Sequence, residues 1–303
     1  ADLLALVPEC PDVAATSAPC LPGDGLVMTP HGPRRIDSMR VDDLVLTHTG
    51  RYCRVDQVNT RAYAGTLHGL RLQGTLDTDI QWYTDEHPVW VRRIVRGTNK
   101  IRTLREPKWV SAGKVEVNDR VGFPVPREQE GTAAAFVGQF GNPQTTVRCG
   151  VPYTTPRIHD LREFSMDPAL WVLLGAYIGD GDRRNKGSYT IRYSVGARNS
   201  EAYTLVSAAL ISLGLTFSVS AEKGEKNVRI QASSRHLWQL CGLFGSSSHT
   251  KHIPESLMCL EDGPMRALVR GLRATDGSDR PNGWCIGSVS LDLIRGLQRL
   301  MLR

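Results

Sequence analysis

Two segments of the sequence share one pattern, a stretch with helical spacing that ends in Asp-Gly. LLGAYIGDG covers residues 173–181 and VRGLRATDG covers residues 269–277, which places Asp180 and Asp276 96 residues apart. Each segment has small residues four positions apart, a spacing that allows two helix backbones to approach closely. The small residues are Gly175 and Gly179 in the first segment, and Gly271 and Thr275 in the second. The sequence therefore predicts an internal repeat whose two helices pack side by side.

The aspartate that ends each predicted helix suggests a cation site. A carboxylate at a helix C-terminus is electrostatically unfavourable, because it adds to the negative end of the helix dipole. If the two helices pack together, Asp180 and Asp276 come close to each other, and paired carboxylates call for a cation. Mg²⁺ held by carboxylates and phosphate oxygens is the common arrangement for phosphodiester cleavage. The alternative for one copy alone is a simple turn after the helix, and the repetition favours the metal site.

Residues 167–303 alternate predicted helices and strands in the order helix, strand, strand, helix, strand, strand, helix. Asp167-Pro168 is a typical helix start. Ser200 and Gly214 predict the ends of a helix over about residues 201–213. The strands between these helices show period-2 alternation, with one polar and one apolar face.

The preceding part of the chain has a different texture. Residues 20–126 contain short segments with partial period-2 alternation, separated by Gly, Pro, Asn and Asp, which predicts a β-rich domain. Residues 127–166 have the composition of a connector, and residues 1–19 look like a short lead-in segment. No stretch approaches the roughly 18 apolar residues that a membrane span requires.

The charge of the chain indicates which class of partner it could bind, and its cysteines indicate the redox state of its compartment. The 303 residues include 37 Lys+Arg and 31 Asp+Glu, a net charge of +6. Residues 1–150 carry 18 basic and 17 acidic side chains, and residues 151–303 carry 19 and 14. The basic excess in the second half favours a polyanionic partner, although such an excess is also common on ordinary surfaces. The seven cysteines are scattered without a C-x-x-C pair, which favours a reducing, cytoplasmic compartment.

On its two Asp-Gly segments, the second half resembles the LAGLIDADG homing endonucleases in their two-motif, single-chain form. The resemblance implies an α+β domain over residues 167–303 with an αββαββα repeat. It implies that Asp180 and Asp276 are the catalytic, Mg²⁺-binding carboxylates, and that the polar strand faces lie along double-stranded DNA. The residues on those faces that can pair with base edges or phosphates are Arg192, Arg229 and Gln231. For each of them a solvated strand face is the alternative.

Residues 249–257, HTKHIPESL, extend this resemblance. They look like the Lys-x-Ile-Pro block of endonucleases carried inside inteins, where the lysine assists cleavage. Lys251 is the matching position, and an ammonium there can polarise water or stabilise developing charge. An ordinary exposed lysine is the alternative. Only 27 residues follow Asp276, where a second full repeat requires about 70 more, so we expect this repeat to be truncated.

Three blocks in the first half resemble the N-terminal part of an intein, the all-β, horseshoe-like Hint fold shared with hedgehog autoprocessing domains. The first block begins at Cys20, and the others cover residues 84–91 and 109–124. Cys20 matches the first intein residue, and Thr84 and His87 match the Thr-x-x-His pair. The dipeptides Asp42-Asp43 and Asn118-Asp119 fall where the family has Gly-Asp turns.

The resemblance implies autocatalytic scission at Pro19–Cys20 without a cofactor. The Cys20 thiol would attack the preceding carbonyl and convert the amide to a thioester, an N-to-S acyl shift. His87 would supply the proton that the amide nitrogen needs in order to leave. Thr84 would hydrogen-bond the oxyanion or position a backbone N–H for that role. Residues 1–19 would be the tail of a host extein in cis.

The sequence departs from the intein pattern in lacking the C-terminal His-Asn block. We therefore expect an N-terminal fragment, or one half of a split system that pairs with a C-terminal intein half, and expect splicing to be incomplete. One alternative is a self-cleaving domain with a degenerate insert that only binds DNA. Another is a non-catalytic β domain fused to a basic DNA-binding module, in which Cys20 would be inert.

Overall fold

The chain folds into two compact units, residues 1–127 and residues 128–303. The computed structural model describes residues 2–8, 20–72, 80–96, 102–140, 145–148, 151–154, 160–184, 189–197, 200–221 and 228–302. Strands dominate the first unit, and the second combines helices with small antiparallel sheets.

The described residues of the first unit form strands and one-turn 3-10 helices, as the alternation in residues 20–126 predicts. The strands are β1 (Asp2–Pro8), β2 (Leu21–Pro22), β3 (Leu26–Thr29), β4 (Gly32–Arg35), β5 (Leu44–Leu46), β6 (Tyr52–Ala62), β7 (Leu67–Leu70), β8 (Gln81–Thr84), β9 (Pro88–Arg92), β10 (Ile94–Arg96), β11 (Arg102–Leu104), β12 (Lys108–Ser111) and β13 (Arg120–Val121). The lead-in segment contributes β1, which lies between β2 and β6 in a sheet of order β2-β1-β6-β5.

The first unit contains two turns of the same construction. Each follows a one-turn 3-10 helix, Ile36–Ser38 or Ala112–Lys114. Asp42 and Asn118 have positive φ, 71° and 75°, at the two positions where the resemblance places glycine. The aspartate after each of them accepts a hydrogen bond from a backbone N–H three residues earlier. The turns predicted at these dipeptides are therefore present, with a left-handed residue other than glycine.

From residue 168 to residue 242, the elements of the second unit run in the order predicted from the sequence: helix, strand, strand, helix, strand, strand, helix. Its helices and strands are α1 (Thr132–Gly138), β14 (Thr145–Arg148), β15 (Val151–Thr154), α2 (Pro168–Asp180), β16 (Gly181–Arg184), β17 (Thr190–Ser194), α3 (Glu201–Ser212), β18 (Phe217–Ala221), β19 (Val228–Ser233), α4 (Arg235–Gly242), α5 (Asp262–Asp276), β20 (Gly277–Arg280), β21 (Gly283–Ile286) and α6 (Leu291–Met301). The order α2-β16-β17-α3 recurs as α5-β20-β21-α6, which confirms an internal repeat.

Local signals explain where the helices of the second unit begin and end. The Asp167 side chain accepts from the backbone N–H of Ala169 and starts α2. The Ser200 side chain accepts from the backbone N–H of Tyr203 and starts α3, and Gly214 follows that helix with φ of 65°. These predicted helix boundaries are confirmed.

The core of the second unit includes part of the segment expected to be a connector. Ala133, Phe136 and Val137 of α1 are buried in the same cluster as α2, α5 and the inner face of the sheet. The Glu261 carboxylate accepts a hydrogen bond from the backbone N–H of Ala133 at 2.9 Å. The composition of this segment suggested a linker, but its short apolar helix gains stability by packing. No helix among the described residues has the length and hydropathy of a membrane span.

Candidate functional sites

The helices α2 and α5 pack with their backbones in direct contact, as the small residues predict. A Cβ added at Gly175 would lie 1.9 Å from the carbonyl oxygen of Leu268, and one added at Gly271 would lie 2.1 Å from that of Val172. Near the helix ends, a Cβ at Gly179 would lie 2.2 Å from the Thr275 hydroxyl oxygen. Only glycine permits this approach, which brings the two helix C-termini to one place.

Asp180 and Asp276 lie at these two C-termini and influence each other electrostatically. Burial raises the pKa of Asp180, Asp276 raises it further, and Lys251 acts to lower it. Burial likewise raises the pKa of Asp276, with Lys251 opposing the shift. Each aspartate is followed by a glycine whose φ is negative. These glycines are needed because a Cβ at Gly181 or Gly277 would meet the backbone of the preceding helix at about 2.5 Å.

Lys251 is buried beside these carboxylates, with 7% of its surface exposed. Its ammonium nitrogen Nζ donates to the carbonyl oxygen of Gly179 at 2.7 Å and to that of Gly181 at 3.0 Å. Nζ also lies 5.3 Å from the centre of the Tyr177 ring. Burial lowers the pKa of Lys251, and Asp180 and Asp276 act to raise it. The lysine thus caps the C-terminal end of α2 with a positive charge.

The donor set at the two helix ends fits a divalent cation. Among the described residues, no group of three or more His, Cys, Asp and Glu side chains could hold a metal ion. Asp180 and Asp276 are a pair of carboxylates at the two helix ends. Burial and mutual repulsion disfavour their charged forms, and a cation between them would relieve that cost. Magnesium commonly takes one or two carboxylates and completes its shell with water and phosphate oxygens.

The polar face of the sheet carries the three residues predicted to contact DNA. The sheet has the order β16-β17-β19-β18, and Asp182, Arg192, Gln231 and Ser218 lie in one row across it. Arg229 lies in the next row, opposite Ser194 and Ser220. The other face is apolar, and its buried residues are Ile191, Tyr193, Val228, Ile230 and Ala232.

Arg192 is not isolated on this face. Its Nε donates to Oδ1 of Asp182 at 2.8 Å, and its Nη2 contacts the other carboxylate oxygen. Asp182 lies opposite Arg192 on the neighbouring strand and faces the same side of the sheet. The period-2 alternation of the strand that follows Asp180, Gly-Asp-Arg-Arg, could have placed Asp182 on this polar face. The ion pair orients the guanidinium across the sheet and partly neutralises it.

In the first unit, Cys20, Thr84 and His87 come together although 64 residues separate Cys20 from Thr84. Cys20 and Thr84 are almost fully buried. The Cys20 backbone N–H donates to Oγ1 of Thr84 at 3.3 Å, and the Thr84 N–H donates to the Cys20 carbonyl at 3.2 Å. Because the Cys20 nitrogen belongs to the Pro19–Cys20 amide, Thr84 contacts the atom that would leave in scission. Pro19 itself lies outside the described residues.

His87 completes this cluster as a largely buried imidazole. Burial lowers its pKa from 6.5 to about 4, while Glu86 and a hydrogen bond with the Cys20 backbone act to raise it. Its ring lies 4.6 Å from that of Tyr83, and its Nδ1 has no hydrogen-bond partner. A buried imidazole that is neutral at pH 7 and has an unused nitrogen can exchange a proton with a neighbouring group.

Two charged residues that the sequence did not single out also belong to this cluster. Arg61 of β6 donates from Nε to the Cys20 sulfur at 3.3 Å, and its Nη2 pairs with Glu86. Glu86 lies between Thr84 and His87, so the motif itself could have identified it. Arg61 lies 41 residues from Cys20, and no local pattern connects the two.

Comparisons with known proteins give distant similarities. No protein-family model matches the chain. The ATP-dependent DNA helicase Hel308 of Thermococcus kodakarensis is 22% identical over 293 residues, covering 88% of this chain and 25% of that protein. An uncharacterized protein of Methanocaldococcus jannaschii is 28% identical over 129 residues, covering 36% of this chain and 16% of that protein. The chain thus spans a quarter or less of these relatives.

Solved structures with similar features include full-length DUF199/WhiA of Thermotoga maritima. It has 16% identity and a TM-score of 0.29, covering 52% of this chain and 41% of its own. The homing endonuclease I-DmoI in complex with DNA and Mn has 17% identity and a TM-score of 0.28, covering 37% of this chain and 64% of its own. At these levels of similarity, function has to be derived from the residues of this chain.

Proposed function

We propose that the second unit is a metal-dependent endonuclease of the LAGLIDADG type that acts on double-stranded DNA. The observation that carries this proposal is the backbone contact of α2 and α5, which brings Asp180 and Asp276 together beside the buried Lys251. Two carboxylates with one neighbouring ammonium suit a divalent cation and an anionic substrate better than they suit a folded core, where their charges are costly.

Each residue has a role in this proposal. Asp180 and Asp276 would hold Mg²⁺, which supplies Lewis-acid stabilisation of charge on the phosphate oxygens. Lys251 keeps the end of α2 in place and adds positive charge beside the phosphate. The polar face with Arg192, Arg229 and Gln231 would lie along the DNA, where arginine and glutamine can read base edges in the major groove.

The test is whether the protein cuts duplex DNA, and so produces new DNA ends, only when a divalent metal ion is present. The chain is incubated with a pool of random-sequence linear duplexes in Mg²⁺ or in EDTA, and new ends are captured and sequenced. We expect ends at one related sequence with wild-type protein in Mg²⁺, and none with Asp180→Asn or Asp276→Asn. Asp279→Asn is the matched control, because Asp279 is an exposed carboxylate on β20 that pairs with Arg273.

Two outcomes contradict the endonuclease proposal. If both variants produce the same ends as wild type, the aspartates have no metal role. If wild-type protein shifts duplex DNA in a gel but yields no ends in Mg²⁺, the second unit is the degenerate insert that only binds DNA.

A second activity is favoured by a separate observation, the cluster of Cys20, Thr84 and His87. We propose that the first unit is a Hint-type autoprocessing domain that cleaves the Pro19–Cys20 bond by an N-to-S acyl shift. The Thr84 hydroxyl contacts the amide nitrogen, and the His87 imidazole hydrogen-bonds the Cys20 backbone. Residues 1–19 would then be the tail of a host extein.

Intact mass after incubation with dithiothreitol tests this activity. We expect wild-type protein to lose residues 1–19, and Cys20→Ala to stay whole. Cys53→Ala is the matched control, since Cys53 is another cysteine of the first unit, on β6. Equal cleavage of Cys20→Ala would exclude Cys20 as the nucleophile. If wild type does not cleave, Pro19→Gly tests whether the proline ring blocks the attack, and an uncleaved Pro19→Gly chain would contradict the proposal.

A further inference from the structure

The Cys20 sulfur has a cationic neighbour, the guanidinium of Arg61 near the end of β6. The Arg61 Nε donates to Sγ of Cys20 at 3.3 Å. The same guanidinium forms an ion pair with Glu86 through Nη2. Arg61 therefore joins the nucleophile to the turn between Thr84 and His87, from a strand that neither motif includes.

We propose that Arg61 is a catalytic residue of the Pro19–Cys20 scission, which stabilises the negative charge on the Cys20 sulfur as the thiol loses its proton. This inference rests on the proposed autoprocessing function and names a residue that the Cys-Thr-His pattern does not contain. Arginine suits the role because its guanidinium stays protonated at every working pH and donates in a fixed fork. Charge-assisted contacts of this kind activate cysteine nucleophiles.

The geometry places Arg61 on the reacting atom. In the acyl shift the Cys20 S–H proton passes to a base such as the neutral His87 imidazole, and the sulfur forms a bond to the Pro19 carbonyl carbon. The bond from that carbon to the Cys20 nitrogen breaks, and the nitrogen takes a proton to become an amine. Negative charge resides on sulfur only before the new bond forms, so a donor to Sγ accelerates the first step. The pKa of Arg61 is raised by its hydrogen bond to Cys20 first and by Glu86 second.

A purely structural role for Arg61 is the competing explanation, and the two make opposite predictions for Glu86. If the ion pair only clamps the loop, removing either partner loosens the site and lowers Cys20 reactivity. If Arg61 acts by its charge, Glu86→Gln frees the guanidinium from a competing carboxylate. Cys20 reactivity then stays equal or rises, while Arg61→Met lowers it.

The experiment measures the alkylation rate of Cys20 by iodoacetamide as a function of pH, with peptide mapping by mass spectrometry to separate Cys20 from the other cysteines. In Arg61→Met we expect the rate at neutral pH to fall about tenfold and the profile to move to higher pH, as for loss of a nearby opposite charge. Arg61→Lys, which keeps the charge but loses the fork, should recover part of the rate. Arg54→Met is the matched control on the same strand, since Arg54 forms an exposed ion pair with Asp42.

Alkylation does not require scission, so failure of this inference is distinguishable from failure of the proposed function. An unchanged Cys20 profile in Arg61→Met and Arg61→Lys would overturn the inference, even if both variants lose dithiothreitol cleavage. A fall in reactivity in both Arg61→Met and Glu86→Gln would assign a structural clamp instead. The pH profile of Cys20 alkylation could also shift in Arg61→Met although the wild-type protein shows no scission at all. The contact between Arg61 and the sulfur would then stand, but its catalytic role and the autoprocessing proposal would both be overturned.

Discussion

The two units position their candidate sites by different physical means. In the first unit, two of the buried clusters contain three residues each, and Cys20 and Thr84 are held by reciprocal backbone and hydroxyl hydrogen bonds. In the second unit, an extended apolar core surrounds α2, and the carboxylates are placed by glycines that let two helix backbones touch. The first site depends on hydrogen bonds between buried polar groups, and the second on steric fit.

This difference determines which changes harm each site. Close packing fails when volume is added, because an interior at crystal-like density has no room for another carbon. A polar network fails when a partner changes its protonation state or loses a donor, because a buried group left without a partner is costly. Because the two modes of failure differ, added volume and a change of pH should each harm one site of this chain and spare the other.

The largest effect is expected from Gly175→Ala in the helix pair. The new Cβ would lie 1.9 Å from the carbonyl oxygen of Leu268 on α5, so the helices must separate along their whole contact. We expect the second unit to lose about 3 kcal/mol or more of unfolding free energy, roughly a 10 °C fall in its melting temperature. Calorimetry on the whole chain, with hydrogen exchange to assign the transitions, measures this.

Gly138→Ala is the control for this change. Gly138 ends α1 in the same unit, and a Cβ there would meet nothing within 4 Å. We therefore expect the second unit of the Gly138→Ala variant to melt at the same temperature as wild type. Cys20 alkylation should also be unaffected by Gly175→Ala. If Gly175→Ala lowers the melting temperature of the second unit no more than Gly138→Ala does, the steric explanation is wrong.

A comparable effect is expected in the first unit from pH alone. Because burial lowers the pKa of His87 from 6.5 to about 4, the unfolded chain binds more protons than the folded one between these values. Stability therefore falls as pH is lowered through this window, by an amount on the order of 3 kcal/mol. Urea unfolding followed by hydrogen exchange of peptides covering residues 81–92 reports it.

The His87 contribution is isolated by substitution. In His87→Gln the dependence of the unfolding free energy on pH between 6.5 and 4 should shrink, and His31→Gln, at an exposed histidine, is the control. The slope against pH is the quantity compared, since the glutamine also changes packing. Equal slopes in the two variants would mean that the imidazole is not buried in its neutral form.

A smaller loss is expected from Asp119→Asn at the second of the two matching turns. The Asp119 side chain is 3% exposed, and it accepts from Nε and Nη2 of Arg93 and from the backbone N–H of Glu116. Burial acts to raise its pKa, but these hydrogen bonds outweigh it and the net shift is downward. We expect a cost of about 2 kcal/mol for the amide at neutral pH. Asp43→Asn, at a more exposed side chain, should lower the unfolding free energy by less. A larger loss for Asp43→Asn than for Asp119→Asn would show that burial does not determine the cost.

The sequence predicted the parts of the fold that depend on neighbours in the chain. The caps at Asp167 and Ser200, the alternation of Arg229 and Gln231 with buried residues, and the small residues between α2 and α5 are local patterns with one physical meaning each. Two contacts were not predicted, because they depend on how distant segments pair in the fold. Arg61 contacts Cys20, 41 residues away, and Asp182 contacts Arg192 on the neighbouring strand.

Lys251 shows the limit of a motif most clearly. Its block predicted a lysine that assists cleavage, with an ordinary exposed lysine as the alternative, and the structure buries it against the carbonyls of Gly179 and Gly181. The sequence could not show this, because burial of an ammonium depends on acceptors supplied by the end of another helix. Its part in cleavage remains a prediction.

The smallest effect is expected at the residues that start both turns, and here substitution should stabilise. Asp42 and Asn118 adopt φ of 71° and 75°, a conformation that costs side chains more than glycine. We expect Asp42→Gly and Asn118→Gly each to raise the unfolding free energy of the first unit by about 0.5 kcal/mol, additively because the turns are separate. Val41→Gly, one residue earlier at ordinary φ, should instead destabilise. If the two turn variants also destabilise, then the side chains of Asp42 and Asn118 contribute more to the polar network than their backbone strain costs, and the first unit depends on hydrogen bonds even at its exposed turns.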